Sequence, residues 1–381
     1  MKNNKFSALL LAGAFFATAL VSGCGGSGGG DKKADDTIKI GLAAPLTGSS
    51  AQDGESIKNG VQLAIDEVND KGGINGKKVV LEVQDDKTDP KEAAIVANKL
   101  SGDKSVLAVV GHFNSSATLA GAPIYNKAGV VEISPGSSSP AVTKAGDYTF
   151  RVITTDAFQA DYVAKWAVND LGYKKIAIIY ENNDYGKGLS DVFAEKAKAQ
   201  GATVVSNDSY LAGETKDFSA ILTKVKAENP DMLFIGGLYN ETALIAKQAK
   251  NMNLNAPIMG VDAIYSNALM ELGGQSVEGV LLPGFFHEGT DNPVAQNFIK
   301  VYKEKYKQNP ATYAAYGYDA AKIVLDAIAK AGTDRKAIRD HIAKVKDFQG
   351  ATGINTFDEN GDVMKDPLRL TIKDGKFQVV K

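Results

Sequence analysis

Short β-branched runs alternate with amphipathic stretches along this chain, and the alternation happens twice. Residues 38–43, 79–83, 106–110 and 130–133 read as buried strands, and helices are expected between them over 54–69, 89–101 and 115–128. Runs this apolar need cover on both faces, and a strand–helix–strand order with parallel neighbours supplies it. After a stretch rich in Ser, Thr and Pro at 134–157 the pattern restarts, with strands at 176–180, 203–205, 232–235 and 257–259 and helices at 158–171, 186–200, 218–228 and 241–251. Past a strand at 280–283, helical stretches at 293–307, 312–331 and 335–345 precede three short strands ending at Val380.

The expected fold is therefore α/β: two Rossmann-like lobes with parallel-rich sheets, joined by a multi-strand hinge because the C-terminal return makes the chain cross more than once. About 345 residues lie beyond position 36, more than one hydrophobic core usually organises. Lobe 1 is assigned residues 37–156 and 287–365, and lobe 2 residues 157–286 and 366–381.

The N-terminus sets the compartment. Lys2 and Lys5 precede an uncharged run over 6–21, and Val21-Ser22-Gly23 stands directly before Cys24. Residues 1–23 read as a secretory signal segment. The small residues before Cys24 resemble a lipobox, which makes this sole cysteine a lipid anchor and leaves no internal disulfide. Residues 24–36, Gly/Ser-rich and then charged, read as a flexible tether. The whole chain carries 43 Lys and Arg against 45 Asp and Glu. Removing the signal segment takes Lys2 and Lys5 and no acid, leaving 41 against 45 and a balance of −4, which argues against a nucleic-acid partner. No later segment is apolar for long enough to span a bilayer, so the mature chain is expected to be soluble apart from its lipid, and monomeric.

Two turns look alike. Residues 109–115 and 234–240 each leave a buried strand, pass a glycine and reach a polar start of a helix. Open α/β sheets bind ligands at such carboxyl ends of strands. Ser115-Ser116 and the run Ser134-Pro135-Gly136-Ser137-Ser138-Ser139-Pro140 gather hydroxyls and free N–H groups there, a fit for a carboxylate. Enzyme signatures are absent from the sequence: His112, His287 and His341 are isolated, and no zinc pair, nucleophile elbow, phosphate loop or dinucleotide fingerprint is present. No catalytic residue, metal or cofactor is expected. His112 is read as structural. Asp85, Asp86 and Asp89 could be imagined as metal ligands, but Asp89-Pro90 suits a helix N-cap with proline at its first position. Tyr313, Tyr316 and Tyr318 are either core aromatics or residues of a cleft rim.

Five segments, Gly41-Leu42-Ala43-Ala44-Pro45-Leu46-Thr47-Gly48, Lys71-Gly72-Gly73-Ile74-Asn75-Gly76, Gly111-His112-Phe113-Asn114-Ser115-Ser116, Ile133-Ser134-Pro135-Gly136 and Asn183-Asp184-Tyr185-Gly186-Lys187-Gly188, together resemble the leucine/isoleucine/valine-binding proteins, a family of type I periplasmic binding proteins. The resemblance runs from about Thr37 to the C-terminus. It implies an extracytoplasmic substrate-binding protein of an ABC importer, meeting permease subunits in the membrane and closing two lobes on a free, branched-chain amino acid. Carried over residue by residue, it places the ligand carboxylate at Ser115, Ser137 and Ser138, with Phe113 and Asn114 in the same turn. Tyr185 is the cleft tyrosine of the second lobe, and Asp262 is the acid for the α-ammonium. A further family tyrosine falls at Leu238, with Tyr239 beside it, and a large aromatic near the ligand side chain falls near Asp53. Both departures imply a cleft that differs from the family's. Two other classes are weighed. A ligand-sensing module for a small amino acid or amide is expected to continue into a signalling segment, and none follows Lys381. A hydrolase using Ser115 needs a base, for which only His112 is near.

Overall fold

The computed structural model describes residues 37–380. The signal segment, Cys24 and the tether lie outside the described residues. Strands β1 (Thr37–Ala44), β2 (Lys78–Asp85), β3 (Val106–Gly111), β4 (Val131–Ser134) and β5 (Thr149–Arg151) form one sheet in the order β2-β1-β3-β4-β5, with every pairing parallel. The helices between them are α1 (Ala51–Asn69), α2 (Pro90–Gly102) and α3 (Ser115–Ala128). Asp89 caps α2, accepting from the amides of Lys91 and Glu92 at 2.7 and 3.1 Å, with Pro90 at the first helical position. Such a cap contributes about 1 kcal/mol.

The second sheet repeats the order. Strands β6 (Lys175–Glu181), β7 (Thr203–Tyr210), β8 (Met232–Gly236), β9 (Ile258–Met259) and β10 (Leu281–Gly284) lie as β7-β6-β8-β9-β10, again parallel, among helices α4 (Asp156–Lys165), α5 (Asp184–Ala199), α6 (Ser219–Glu228), α7 (Tyr239–Asn251) and α8 (Asn267–Gly273). Helices α9 (Pro293–Tyr306), α10 (Thr312–Ala331) and α11 (Arg335–Ile342) follow. Helix α10 belongs to the first sheet's layer, pressed on α1 where Gly60 and Gly317 face its partner. A Cβ on Gly60 would stand 1.9 Å from the Ala314 carbonyl, so only glycine allows this approach. A hairpin of β11 (Phe348–Gly350) and β12 (Gly353–Asn355) comes next, and β13 (Leu368–Lys373) and β14 (Lys376–Val379) close the second sheet as antiparallel strands. The chain thus passes between the two layers at 152–155, 285–292 and 356–367, a hinge of three segments.

Several local details differ from expectation. The 134–157 stretch holds β5, which pairs with β4 although only three residues long. The helix expected at 158–171 starts at Asp156 and widens after Lys165 into a π turn over Trp166–Asp170. Four short strands rather than three end the chain, and α8 was not expected. Strand β7 runs on to Tyr210 because it pairs with β6 along its length, with one register shift between Ile176 and Ala177.

Candidate functional site

In the order 2-1-3-4-5 the connections on the two sides of the first strand leave in opposite directions, which opens a crevice at the carboxyl ends of the strands. Both sheets therefore carry one: beside Ala44 and Gly111 in the first, beside Glu181 and Gly236 in the second. The turns after β3 and β8 lead into α3 and α7 at these points. Three hydrogen bonds join the facing rims: Ser116 Oγ to Asp184 Oδ2 at 2.7 Å, Asn240 Nδ2 to the Ser49 carbonyl at 3.0 Å, and Tyr239 Oη to Gln52 Oε1 at 3.3 Å. The cleft is closed.

A narrow cavity lies within it, lined by Phe113, Asn114, Ser115, Gly136, Ser138 and Tyr313 from the first layer and by Tyr185, Leu238, Asp262 and Ala263 from the second. Its first-layer wall is a bonded turn. Gly111 has φ +140°, and a Cβ there would meet the Ala43 carbonyl at 2.1 Å, so the chain turns only with glycine. The His112 carbonyl accepts from Ser134 Oγ at 2.6 Å, and Ser134 Oγ in turn accepts from the Ser137 amide at 2.9 Å. Ser115 Oγ accepts from the Ser139 amide at 3.2 Å. Gly136 lets Phe113 pack beneath it, and the Phe113 ring meets Tyr313 edge-on at 4.7 Å.

His112 is fully buried, with Nδ1 2.7 Å from Asp86 Oδ2 and Nε2 3.4 Å from Tyr125 Oη. Its ring is occupied within the lobe, so Ser115 has no base there, and Asp86 is spent on the same contact. Asp85 likewise accepts from the Leu46 amide and the Thr47 hydroxyl.

Ser137 lies behind the wall. Its hydroxyl bonds Thr118 Oγ1 at 2.6 Å and the Phe113 carbonyl at 2.9 Å and does not line the cavity. The alternation of side chains along the turn sends Ser137 inward and leaves Gly136 and Ser138 on the wall. Tyr239 is also outside the cavity lining, its hydroxyl given to the rim contact with Gln52, while its neighbour Leu238 lines the cavity.

The second-layer wall is acidic and sparsely bonded. Asn183 caps α5 by accepting from the Gly186 amide at 2.8 Å, which sets Tyr185 in the first turn facing the cavity, its buried hydroxyl without a partner. Asp262 is buried in the short turn after β9. Its Oδ2 receives one long contact from Tyr316 Oη at 3.4 Å, and its amide donates to Gln159 Oε1 at 3.2 Å. Burial lifts the Asp262 carboxyl to about 6 against the hydrogen bonds of Gln159 and Tyr316. Beside it, burial lifts Asp156 to about 7, opposed by the Ser138 hydroxyl and Arg151 and reinforced by the Asp262 charge. Neither Asp156 oxygen has a partner of full hydrogen-bond geometry. Lys365, in the third crossing, is buried, donates to the Val152 carbonyl at 3.0 Å and sits 5.2 Å over the Tyr316 ring; burial lowers its ammonium to about 8.

Sequence reasoning missed Asp156 and Lys365 and left Tyr313 and Tyr316 undecided. Thr155 caps α4 by accepting from the Phe158 amide, so Asp156 reads in sequence as an ordinary acid of a first helical turn. Tyr313 and Tyr316 stand one helical turn apart on α10, a spacing that could have marked them as a pair on one face.

Two α/β lobes shut over a polar cavity at their switch points define a small-molecule binding protein. The chain belongs to the periplasmic binding protein family, whose model matches residues 37–376. It is 34% identical to Leu/Ile/Val-binding protein homolog 1 of Brucella suis biovar 1 (strain 1330), over 91% of each chain. Among solved structures it is similar to the leucine binding protein LivK of Thermotoga maritima MSB8, with a TM-score of 0.85, 36% identity and coverage of 90% of this chain and 98% of that one. It is equally similar to the branched-chain amino acid transporter substrate binding protein LivJ of Streptococcus pneumoniae in complex with isoleucine, with a TM-score of 0.85, 34% identity and coverage of 90% and 99%. Membership carries a substrate-binding role and an extracytoplasmic location. Among the described residues no helix is long and apolar enough to cross a membrane.

Proposed function

We propose that this protein is the lipid-anchored substrate-binding component of an ABC importer, working as a monomer that captures a free amino acid between its lobes and delivers it to membrane permease subunits without chemical turnover. The lobes are residues 37–156 with 287–365, and 157–286 with 366–381. The observation that carries the reading is the pairing of walls: a neutral serine turn with helix N-terminal amides on one side, and Asp262 on the other, with Asp156 behind Ser138. A zwitterion satisfies both. Its carboxylate is received at Ser115 and Ser138, with Ser137 holding the turn from behind, and its ammonium at Asp262.

Charge-assisted hydrogen bonds contribute about 1.5–3 kcal/mol each, so three or four at the head group supply much of the roughly 8 kcal/mol of micromolar binding. The ligand bonds both lobes only when they are shut, so it selects the closed form by differential contact. Relatives named for leucine, isoleucine and valine support a branched-chain ligand. Cys24 as a lipid anchor would confine the lobes near their permease at a high effective concentration. Fractionation of cells expressing the parent and Cys24→Ala, with calorimetric titration of both proteins against the twenty amino acids, tests the proposal. The variant is expected to leave the membrane fraction and keep its affinity. Retention on the membrane contradicts the anchor, and the lack of any binding amino acid contradicts the ligand.

A further inference from the structure

Lys365, in the third crossing, is 8% exposed, and its ammonium donates to neutral oxygens: the Val152 carbonyl of the first crossing at 3.0 Å and the Thr352 hydroxyl. A lysine is almost never buried this far without a carboxylate to pair with. Two buried carboxylates feel its charge, Asp319 and Asp262. Asp319 is already answered, by the amides of Ala351 and Thr352 at 2.7 and 2.9 Å and by the Thr352 hydroxyl. Asp262 is left.

Tyr316 stands between the two. The Lys365 ammonium lies 5.2 Å over its ring, and its hydroxyl donates to Asp262 Oδ2 at 3.4 Å. A cation held on the ring face draws electron density from the phenol, which makes its hydroxyl a better donor to a carboxylate. The contact crosses the cleft: Tyr316 is on α10 of the first layer, and Asp262 follows β9 of the second. The bond to Val152 meanwhile ties the third crossing to the first, so the ammonium is fixed in the hinge.

The other titratable groups facing Asp262 are Asp156 at the start of α4, Tyr185 on α5 and Tyr313 on α10. Both tyrosines stay neutral, since burial holds their hydroxyls well above the usual range, and Asp156 opposes a second negative charge beside it. Burial disfavours the charged form of Asp262 and the bonds of Gln159 and Tyr316 favour it; Lys365 is the cation that adds to them.

Resting on the amino-acid reading above, we propose that Lys365 is a positioning residue for ligand capture: from the hinge, and through Tyr316, its ammonium keeps the Asp262 carboxylate charged and fixed in the closed cleft, ready for the α-ammonium. The hinge charge then serves the cavity without touching the ligand.

Calorimetric titration of the purified protein with the twenty amino acids selects the tightest binder, which is then titrated into the parent and Lys365→Met from about pH 5 to about pH 7.5. In the variant the rise of affinity with pH is expected to move up by about one pH unit, so that it binds about tenfold more weakly than the parent near pH 5 and within about threefold of it near pH 7.5. A lysine with a merely structural role, once removed, lowers affinity by the same factor at every pH. That result, or profiles that superimpose, overturns this inference and leaves the amino-acid reading standing; a parent that binds none of the twenty overturns both. Should Lys365→Met fail to fold, Tyr316→Phe decides, since it keeps the ring beneath the ammonium and removes the hydroxyl that reaches Asp262: the same upward move is expected, and an unmoved profile overturns the inference.

Discussion

The serine turn of the first lobe and the acidic wall of the second line one cavity and are built in opposite ways. In the turn, Ser115, Ser134 and Ser137 already bond their own lobe, through contacts of 2.6 to 3.2 Å. On the facing wall the Tyr185 hydroxyl has no partner, and Asp262 has one long contact from Tyr316. One wall is held mostly by its own bonds, with Asn114 Oδ1 its unpartnered atom. The other holds buried charge that only a third party can satisfy, so closing on a ligand gains most on the second lobe.

The largest effect is therefore expected there. Asp262→Ala leaves a bound ammonium buried and unpaired, and removing one partner of such a pair costs roughly 2–5 kcal/mol, a loss of affinity of thirtyfold or more on this scale. Unchanged affinity in calorimetry would remove Asp262 from the site. Ser115→Ala is expected to cost less, about 1.5–3 kcal/mol of ligand binding, because neighbouring N–H groups of the turn remain; a loss equal to that of Asp262→Ala would erase the contrast between the walls.

Protonation sharpens the comparison further, since the carboxyl that lines the cavity is Asp262. Asp262, raised to about 6, must be ionised to receive an ammonium, so affinity should climb as pH rises through about 6 and then level off. Stability without ligand should move the other way. Asp156 and Glu181 are both raised to about 7 by burial, above their unfolded values near 4. Between about pH 4 and 7 the folded state thus binds more protons than the unfolded one, and these groups make stability fall as pH rises through that window. Asp156→Asn should flatten the fall in thermal melts recorded without ligand, and an unaltered slope would show that Asp156 does not titrate there.

The rims should matter least. Asp184→Ala removes the exposed hydrogen bond from Ser116, worth about 0.5–1.5 kcal/mol. A few-fold faster ligand release in stopped-flow traces is expected; a loss as large as that of Asp262→Ala would mean that the rim, and not the acid, holds the cleft shut.

The same asymmetry governs what could be read from the sequence. The doubled alternation of strand and helix was legible because each element is set by its own run of residues, and the Asp89 cap because its partners are two and three residues away. The serine turn was legible for the same reason, except for which of its residues face outward: Gly136 and Ser138 do, Ser137 does not. The surroundings of Asp262 are made by distance in the chain. Asp156, Tyr316 and Lys365 reach it from three separate segments, and nothing local marks Lys365 as a buried cation over a tyrosine ring. Strand β5 escaped because three residues among turn formers carry no periodicity, and only pairing with β4 defines it.

The central claim, that the two walls together hold an α-amino acid by its head group, is tested most directly by calorimetric titration with the tightest-binding of the twenty amino acids, its N-acetyl derivative and its methyl ester. The account predicts binding of the free amino acid and a loss of at least about a hundredfold with either derivative, since each removes one charge that a wall is built to receive. Binding of both blocked forms as tightly as the free amino acid would contradict it.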